Sequence, residues 1–162
     1  MIHETPVQDE HKEQLRATRL LFGAIVGGQL IFSAVVLSVK DYSSAMIEST
    51  REANIFLAVA LVFTVVCFLF ARRLYNNGIL VAKDSLISLQ DKLNQYRATL
   101  IVYLALCEGP AFLSMVFFFL TGDYILVGVL ACMLIAIMMK TPTRRRVIRE
   151  LELDSEEQQE LG

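Results

Sequence analysis

Histidine and cysteine are scarce in this chain of 162 residues, which holds two of the former and three of the latter. His3 and His11 lie in the N-terminal stretch and are too few to ligate a metal ion. Cys67, Cys107 and Cys132 all fall in apolar runs, where a thiol acts as a small apolar group; that setting and their spacing argue against disulfides and a thiolate metal site. The sequence also lacks a phosphate loop, a nucleophile elbow, paired active-site carboxylates and a zinc-binding helix motif. The expectation is therefore a non-enzymatic protein without a metal or cofactor. An excess of positive charge is missing as well. The net charge is −2, and Lys and Arg are dispersed over tails and loops, which gives no basic face and no reason to expect nucleic acid as a partner.

Charge is absent where it matters most. Between Arg19 and Lys40, Glu52 and Arg72, Arg97 and Asp123, and Asp123 and Lys140, the only acid or base besides cysteine and tyrosine is Glu108. With 55% of residues apolar, this pattern describes a multi-pass membrane protein rather than a water-soluble globule. A hydrocarbon core about 30 Å thick requires roughly 20 helical residues. The expected class is all-α, a four-span transmembrane helical bundle with spans at about 20–39, 53–71, 98–121 and 124–140. The last is the shortest and relies on Lys140 snorkelling and on Tyr124 at the interface. Residues 1–19 then form a cytoplasmic N-terminal segment, 20–140 the membrane domain, and 141–162 a charged cytoplasmic tail.

Placing both termini inside leaves only Lys40 and Arg51 of the 15 Lys and Arg residues in the outer loops. This asymmetry predicts an N-in, C-in topology in the cytoplasmic (inner) membrane. The first apolar run follows a charged stretch and lacks a small-residue cleavage site, so no cleaved signal peptide is expected. The tail from Arg144 to Arg149 is basic and from Glu150 onward acidic, which suits a solvated tail whose basic part rests against anionic head groups.

Between the second and third spans, Ile79, Ala82, Leu86, Leu89, Leu93 and Tyr96 form a heptad stripe. It predicts a cytoplasmic amphipathic helix over 79–96, with Asn76-Asn77-Gly78 breaking the second span and Asp84 or Ser85 capping the new helix. Thr121-Gly122-Asp123 is short enough to force a tight antiparallel hairpin. Sliding the chain by 81 residues superposes Gln14, Arg16, Ala17, Thr18, Ala24, Gly28, Ser33 and Val35 on Gln95, Arg97, Ala98, Thr99, Ala105, Gly109, Ser114 and Val116. That describes two hairpins in parallel pseudo-repeat, related by an axis along the membrane normal.

Glu108 is the sharpest lead. A charge at mid-span costs about 2.5 to 3.5 kcal/mol on insertion scales, so this side chain should face protein or water and be protonated much of the time. It could take up and release H⁺ or, with further oxygen ligands, bind Na⁺; the structural reading is a neutral acid hydrogen-bonded across helices, worth about 0.6 to 2 kcal/mol. Gln29 falls at nearly the same depth and can donate to a carboxylate or offer its carbonyl to a cation. Pro110 cannot donate to the Leu106 carbonyl, which predicts a helix kink that either shapes the bundle or opens a niche beside the carboxyl. Gly23, Gly27, Gly28 and Gly109 are expected as helix-packing positions, since small residues let backbones approach.

The run Arg97-Ala98-Thr99-Leu100-Ile101-Val102-Tyr103-Leu104-Ala105-Leu106-Cys107-Glu108 resembles the carboxyl-bearing helix of the proteolipid, or c, subunits of rotary ATP synthases. There, too, an Arg at the cytoplasmic entry precedes the ion-carrying Glu by 11 residues. The resemblance is local, over residues 97–121, and implies that Glu108 is an ion carrier with Gln29 as a ligand-like neighbour. Elsewhere the sequences part: 53–71 holds no Gly where that family has a Gly-repeat helix, and Glu108 falls in the third span rather than the last. Two functions are thus expected: an accessory or assembly component of a membrane, or an H⁺- or Na⁺-translocating subunit built on Glu108. Membrane lipids, and either a second copy of the chain or a membrane-complex component, are the expected partners.

Overall fold

A computed structural model describes residues 6–40, 50–83 and 87–160, with side chains from 13 to 159 within them. All elements among these residues are helical: α1 (Pro6–Lys40), α2 (Thr50–Ala82), α3 (Leu89–Thr121), α4 (Ile125–Met138), α5 (Arg144–Leu151) and α6 (Ser155–Glu160). Three of them, α1, α2 and α3, are long and apolar enough to cross a membrane, and α4 is a shorter apolar helix. His3, most of the loop after Lys40, and the suggested capping residues Asp84 and Ser85 lie outside the described residues.

The chain forms an up-and-down bundle around α3. Phe56 meets Phe117 and Tyr75 meets Tyr103 edge to face, so α2 runs antiparallel to α3; Phe118 meets Tyr124 and the Tyr103 hydroxyl donates to the Ala136 carbonyl, so α4 does too. Phe32 stacks on Phe112, and the Lys40 ammonium donates to the Phe119 carbonyl, which sets α1 parallel to α3. Leu100, Leu104, Cys107, Ala111, Met115 and Phe118 of α3 are fully or almost fully buried. By contrast Val62, Val65, Val66 and Leu69 of α2 and Ile31 and Val35 of α1 are exposed, as apolar side chains facing lipid would be.

The turns follow local chemistry. Ser88 caps α3, its hydroxyl accepting from the Asp91 backbone N–H. Gly122 ends α3 at φ 76°, a conformation glycine adopts without steric cost, and Asp123 accepts from the Ile125 N–H to open α4. The tight hairpin at Thr121-Gly122-Asp123 is therefore present.

Two expectations fail. The helix over 79–96 is not one element: α2 runs unbroken through Asn76-Asn77-Gly78 to Ala82, and α3 begins at Leu89, so the heptad stripe is shared between two helices that pack on each other. A break signal of this kind is weak when the flanking turns are buried against a neighbour, as Tyr75, Ile79 and Ala82 are. Nor do the proposed packing glycines pack within the chain. A Cβ added at Gly23, Gly27, Gly28 or Gly109 would meet nothing within 4 Å, whereas at Gly78 it would collide with the Thr99 side chain. The close backbone approach is between α2 and α3, at a glycine beside the polar turn signal. α3 likewise continues through Pro110 as one helix, and the Ser114 hydroxyl donates to the Pro110 carbonyl.

The glycine geometry gives a stability test. Gly78→Val has no room against the short, branched Thr99 side chain and should lower unfolding stability in detergent by about 1 to 3 kcal/mol. Gly28→Ala should change it by less than about 0.5 kcal/mol or raise it slightly through helix propensity. Circular dichroism during thermal or denaturant titration separates the two.

Candidate functional site

Two polar centres are built into this fold. The first lies midway along α1 and α3. The Phe32–Phe112 stack, with centroids 4.2 Å apart, and the Lys40–Phe119 hydrogen bond fix the register at an offset of 79 to 80 residues. Gln29 precedes Phe32 by three residues and Glu108 precedes Phe112 by four, and such spacings keep side chains on one helix face. With a rise of about 1.5 Å per residue, Gln29 and Glu108 therefore sit at heights that differ by about one residue, on the two faces that meet at the stack.

Gln29 is 2% exposed, and its Nε2 has no hydrogen-bond partner. Glu108 is half-buried. No hydrogen bond joins the two among the described residues, although each brings what the other lacks, an amide donor and a carboxyl acceptor. The Ser33 hydroxyl donates to the Gln29 carbonyl and that of Ser114 to the Pro110 carbonyl, so both hydroxyls are engaged by their own helices. What remains at this height is one amide and one carboxyl, with the Phe32–Phe112 stack about one turn further along both helices.

The second centre lies at the end of the bundle where the tail packs. The tail does not extend into solvent. Thr143 caps α5 by accepting from the Arg146 N–H, and α5 buries Val147 and Leu151, with Leu153 beyond it. Pro142 is buried and its carbonyl accepts from Arg19 Nε, tying the tail to α1. Glu150 is the hub: it accepts from the Tyr75 hydroxyl at 2.5 Å and from Arg146 Nε at 2.9 Å, and lies 3.9 Å from the Lys140 ammonium. Lys140 in turn sits over the Tyr75 ring, 3.8 Å from its centroid. Burial works against the Arg146 charge, but the hydrogen bond and charge of Glu150 outweigh it and hold the guanidinium above its ordinary pKa.

Outer ion pairs extend this cap. Lys92 pairs with Glu157 where both side chains are largely buried, and Lys83 with Glu152 where the carboxylate is exposed. The tail's acidic residues, which the sequence suggests are solvated, are thus partly spent on the ends of α2 and α3. The signal that could have shown this is the spacing of Val147, Leu151 and Leu153 within an otherwise charged stretch. Nothing local marks Tyr75 as its receiver. Cys67, Cys107 and Cys132 are free thiols. Neither a family model, nor a curated protein, nor a solved structure matches this chain.

The hub predicts an uneven response to mutation. Glu150→Gln leaves Arg146 and Lys140 without their carboxylate and should cost about 1 to 3 kcal/mol, because hydrogen bonds to charged groups exceed neutral ones. Trypsin should then cleave faster within Arg144–Arg149. Glu152→Gln, in the exposed pair, should shift stability by less than about 1 kcal/mol. Timed digestion with mass mapping reads the difference.

Proposed function

We propose that this chain is a non-enzymatic, four-span protein of the cytoplasmic membrane, N-in and C-in, whose working group is the Glu108 carboxyl facing Gln29 in the seam between α1 and α3. In this reading α4 is the fourth span. At 14 helical residues it covers about 21 Å, and Tyr124 and Lys140 at its ends extend it toward both interfaces. The excess of Lys and Arg at the end where α5 and α6 lie supports that end as the cytoplasmic one. The parallel pairing of α1 and α3, at an offset within two residues of the 81-residue slide, supports a repeat between those two helices alone, since α4 packs closely on α3 but α2 does not on α1.

The observation that carries the proposal is the register that brings a buried, unpartnered amide to the height of the one acid in the spans. Such a carboxyl can take up and release a proton while the amide beside it stays neutral. The ionised carboxyl would accept a hydrogen bond from Gln29 Nε2, and the neutral one would donate its own. Turning the carboxyl between Gln29 and water at the seam would transfer the proton. Binding Na⁺ instead would use the Gln29 carbonyl oxygen together with the carboxylate and needs further oxygens from water. The proteolipid resemblance around Glu108 points to the same chemistry.

A second reading is favoured by the cap. A tail fastened by Glu150, Lys92 and Arg19 presents a fixed charged surface, as an accessory or assembly component of a membrane complex would, with Glu108 serving as interhelical glue.

A hydrophobic carbodiimide, which modifies protonated carboxyls in apolar surroundings, distinguishes the readings. Mapped to Glu108, labelling should fade as pH rises, vanish in Glu108→Gln, and change in extent in Gln29→Leu, which removes the amide beside the carboxyl. Protection by Na⁺ would assign the cation, and its absence the proton. A Glu108 that labels equally at every pH, or not at all, would leave the accessory role.

A further inference from the structure

Two cavities of about 390 Å³ each share a wall made by Tyr75, Asn76 and Lys140, at the tail end of the bundle. One lies under the cap, against Glu150 and Arg149. The other opens between α2 and α4, with Arg72 and Lys140 on its polar side and Phe68, Ala136 and Met139 on its apolar side. We propose that this second cleft binds one anionic phospholipid, its phosphate held between Arg72 and Lys140 and the start of an acyl chain lying along Phe68, Ala136 and Met139.

The charges favour it. Glu150, the carboxylate nearest Lys140, lies 3.9 Å away and already accepts two shorter hydrogen bonds, from Tyr75 and Arg146. Arg72 pairs with no carboxylate among the described residues. Two cations therefore face a cleft that contains no acidic side chain. The ammonium is also held in place, because its contact with the Tyr75 ring restrains a side chain that would otherwise lose several rotamers on binding. A guanidinium adds a planar fork suited to phosphate oxygens.

The gradient across the cleft selects the amphiphile over a free ion. The apolar wall continues from the cations toward the middle of the bundle, and Met139 at its edge is exposed, so the cleft opens sideways toward lipid. A phosphate arriving from water would use the cations and leave this wall unfilled. A phospholipid fills both, and basic pockets between spans recognise head groups in this way. Since Lys140 also faces Glu150, an occupied cleft would draw the ammonium toward the phosphate and leave Glu150 to Arg146 and Tyr75.

This inference rests on the membrane reading but not on the role of Glu108. Native mass spectrometry of the full chain in detergent, with phosphatidylglycerol or phosphatidylcholine added at equal concentration, tests it. The expected result is one retained phosphatidylglycerol per chain and little phosphatidylcholine. Retention should fall about tenfold or more in the double variant Arg72→Gln, Lys140→Gln. It should recover in Arg72→Lys, Lys140→Arg, and persist in Arg73→Gln and in Glu108→Gln. Circular dichroism confirms that each variant is folded; should the double variant unfold, Ala136→Trp, which fills the apolar side, replaces it and should abolish retention. Equal retention of both lipids, undiminished retention in the double variant and in Ala136→Trp, or displacement of phosphatidylglycerol by millimolar inorganic phosphate would each overturn the assignment, the last by showing a free-phosphate site. Loss of lipid specificity alongside pH-dependent carbodiimide labelling would refute this cleft alone.

Discussion

α3 is the constraint on which the remaining structure depends. Among lipid tails a helix gains nothing by hiding apolar side chains from its solvent, so helices associate by close packing and by polar contacts that lipid cannot replace. α3 meets α1, α2 and α4, and its buried residues recur at spacings of three and four along its whole length. Gly78 lets α2 approach to van der Waals contact with Thr99, and Gly122 turns the chain tightly enough for α4 to return along the same helix. With that central helix in place, α1 needs only a ring stack and a lysine to settle its height.

Both polar centres are consequences of that packing. The seam between α1 and α3 brings Gln29 and Glu108 to one level because Phe32 and Phe112 stack one turn away. At the other end, α2 and α3 are each 33 residues long, about 50 Å, and so exceed a 30 Å hydrocarbon core by several turns. Those extra turns form the platform that receives α5 and α6. The tail's apolar residues Val147 and Leu151 bury against it, while Glu150 gathers Tyr75, Lys140 and Arg146 around one carboxylate. A hydrogen-bonded carboxylate shielded from water and held by two cations is a stronger fastening than the exposed Lys83–Glu152 pair.

In the proposed reading these two centres divide the work. The seam supplies a protonatable group where a protein rarely tolerates one, and the cap holds the ends of the helices together so that small movements of α1 against α3 are possible without loosening the bundle. The cleft between α2 and α4 adds a contact with the surrounding lipid, sharing Lys140 with the cap.

Much of the architecture is legible in the chain itself. Long uncharged runs and a Gly in a short polar turn are local features, and local physics suffices to read an all-helical fold with three apolar helices of spanning length and the hairpin at Gly122. What depends on residues far apart could not be read this way. Gly78 and Thr99 become neighbours only when two helices fold against each other, and the unbroken course of α2 past Asn76-Asn77-Gly78 follows from burial that the turn signal does not encode. The partners of Glu150 lie up to 75 residues away, so neither charge spacing nor periodicity in the tail could name them. The sequence by itself determined which segments are helical and apolar; the tertiary structure alone decided which faces meet, because helical periodicity specifies a stripe on each helix but not the stripe it will find opposite.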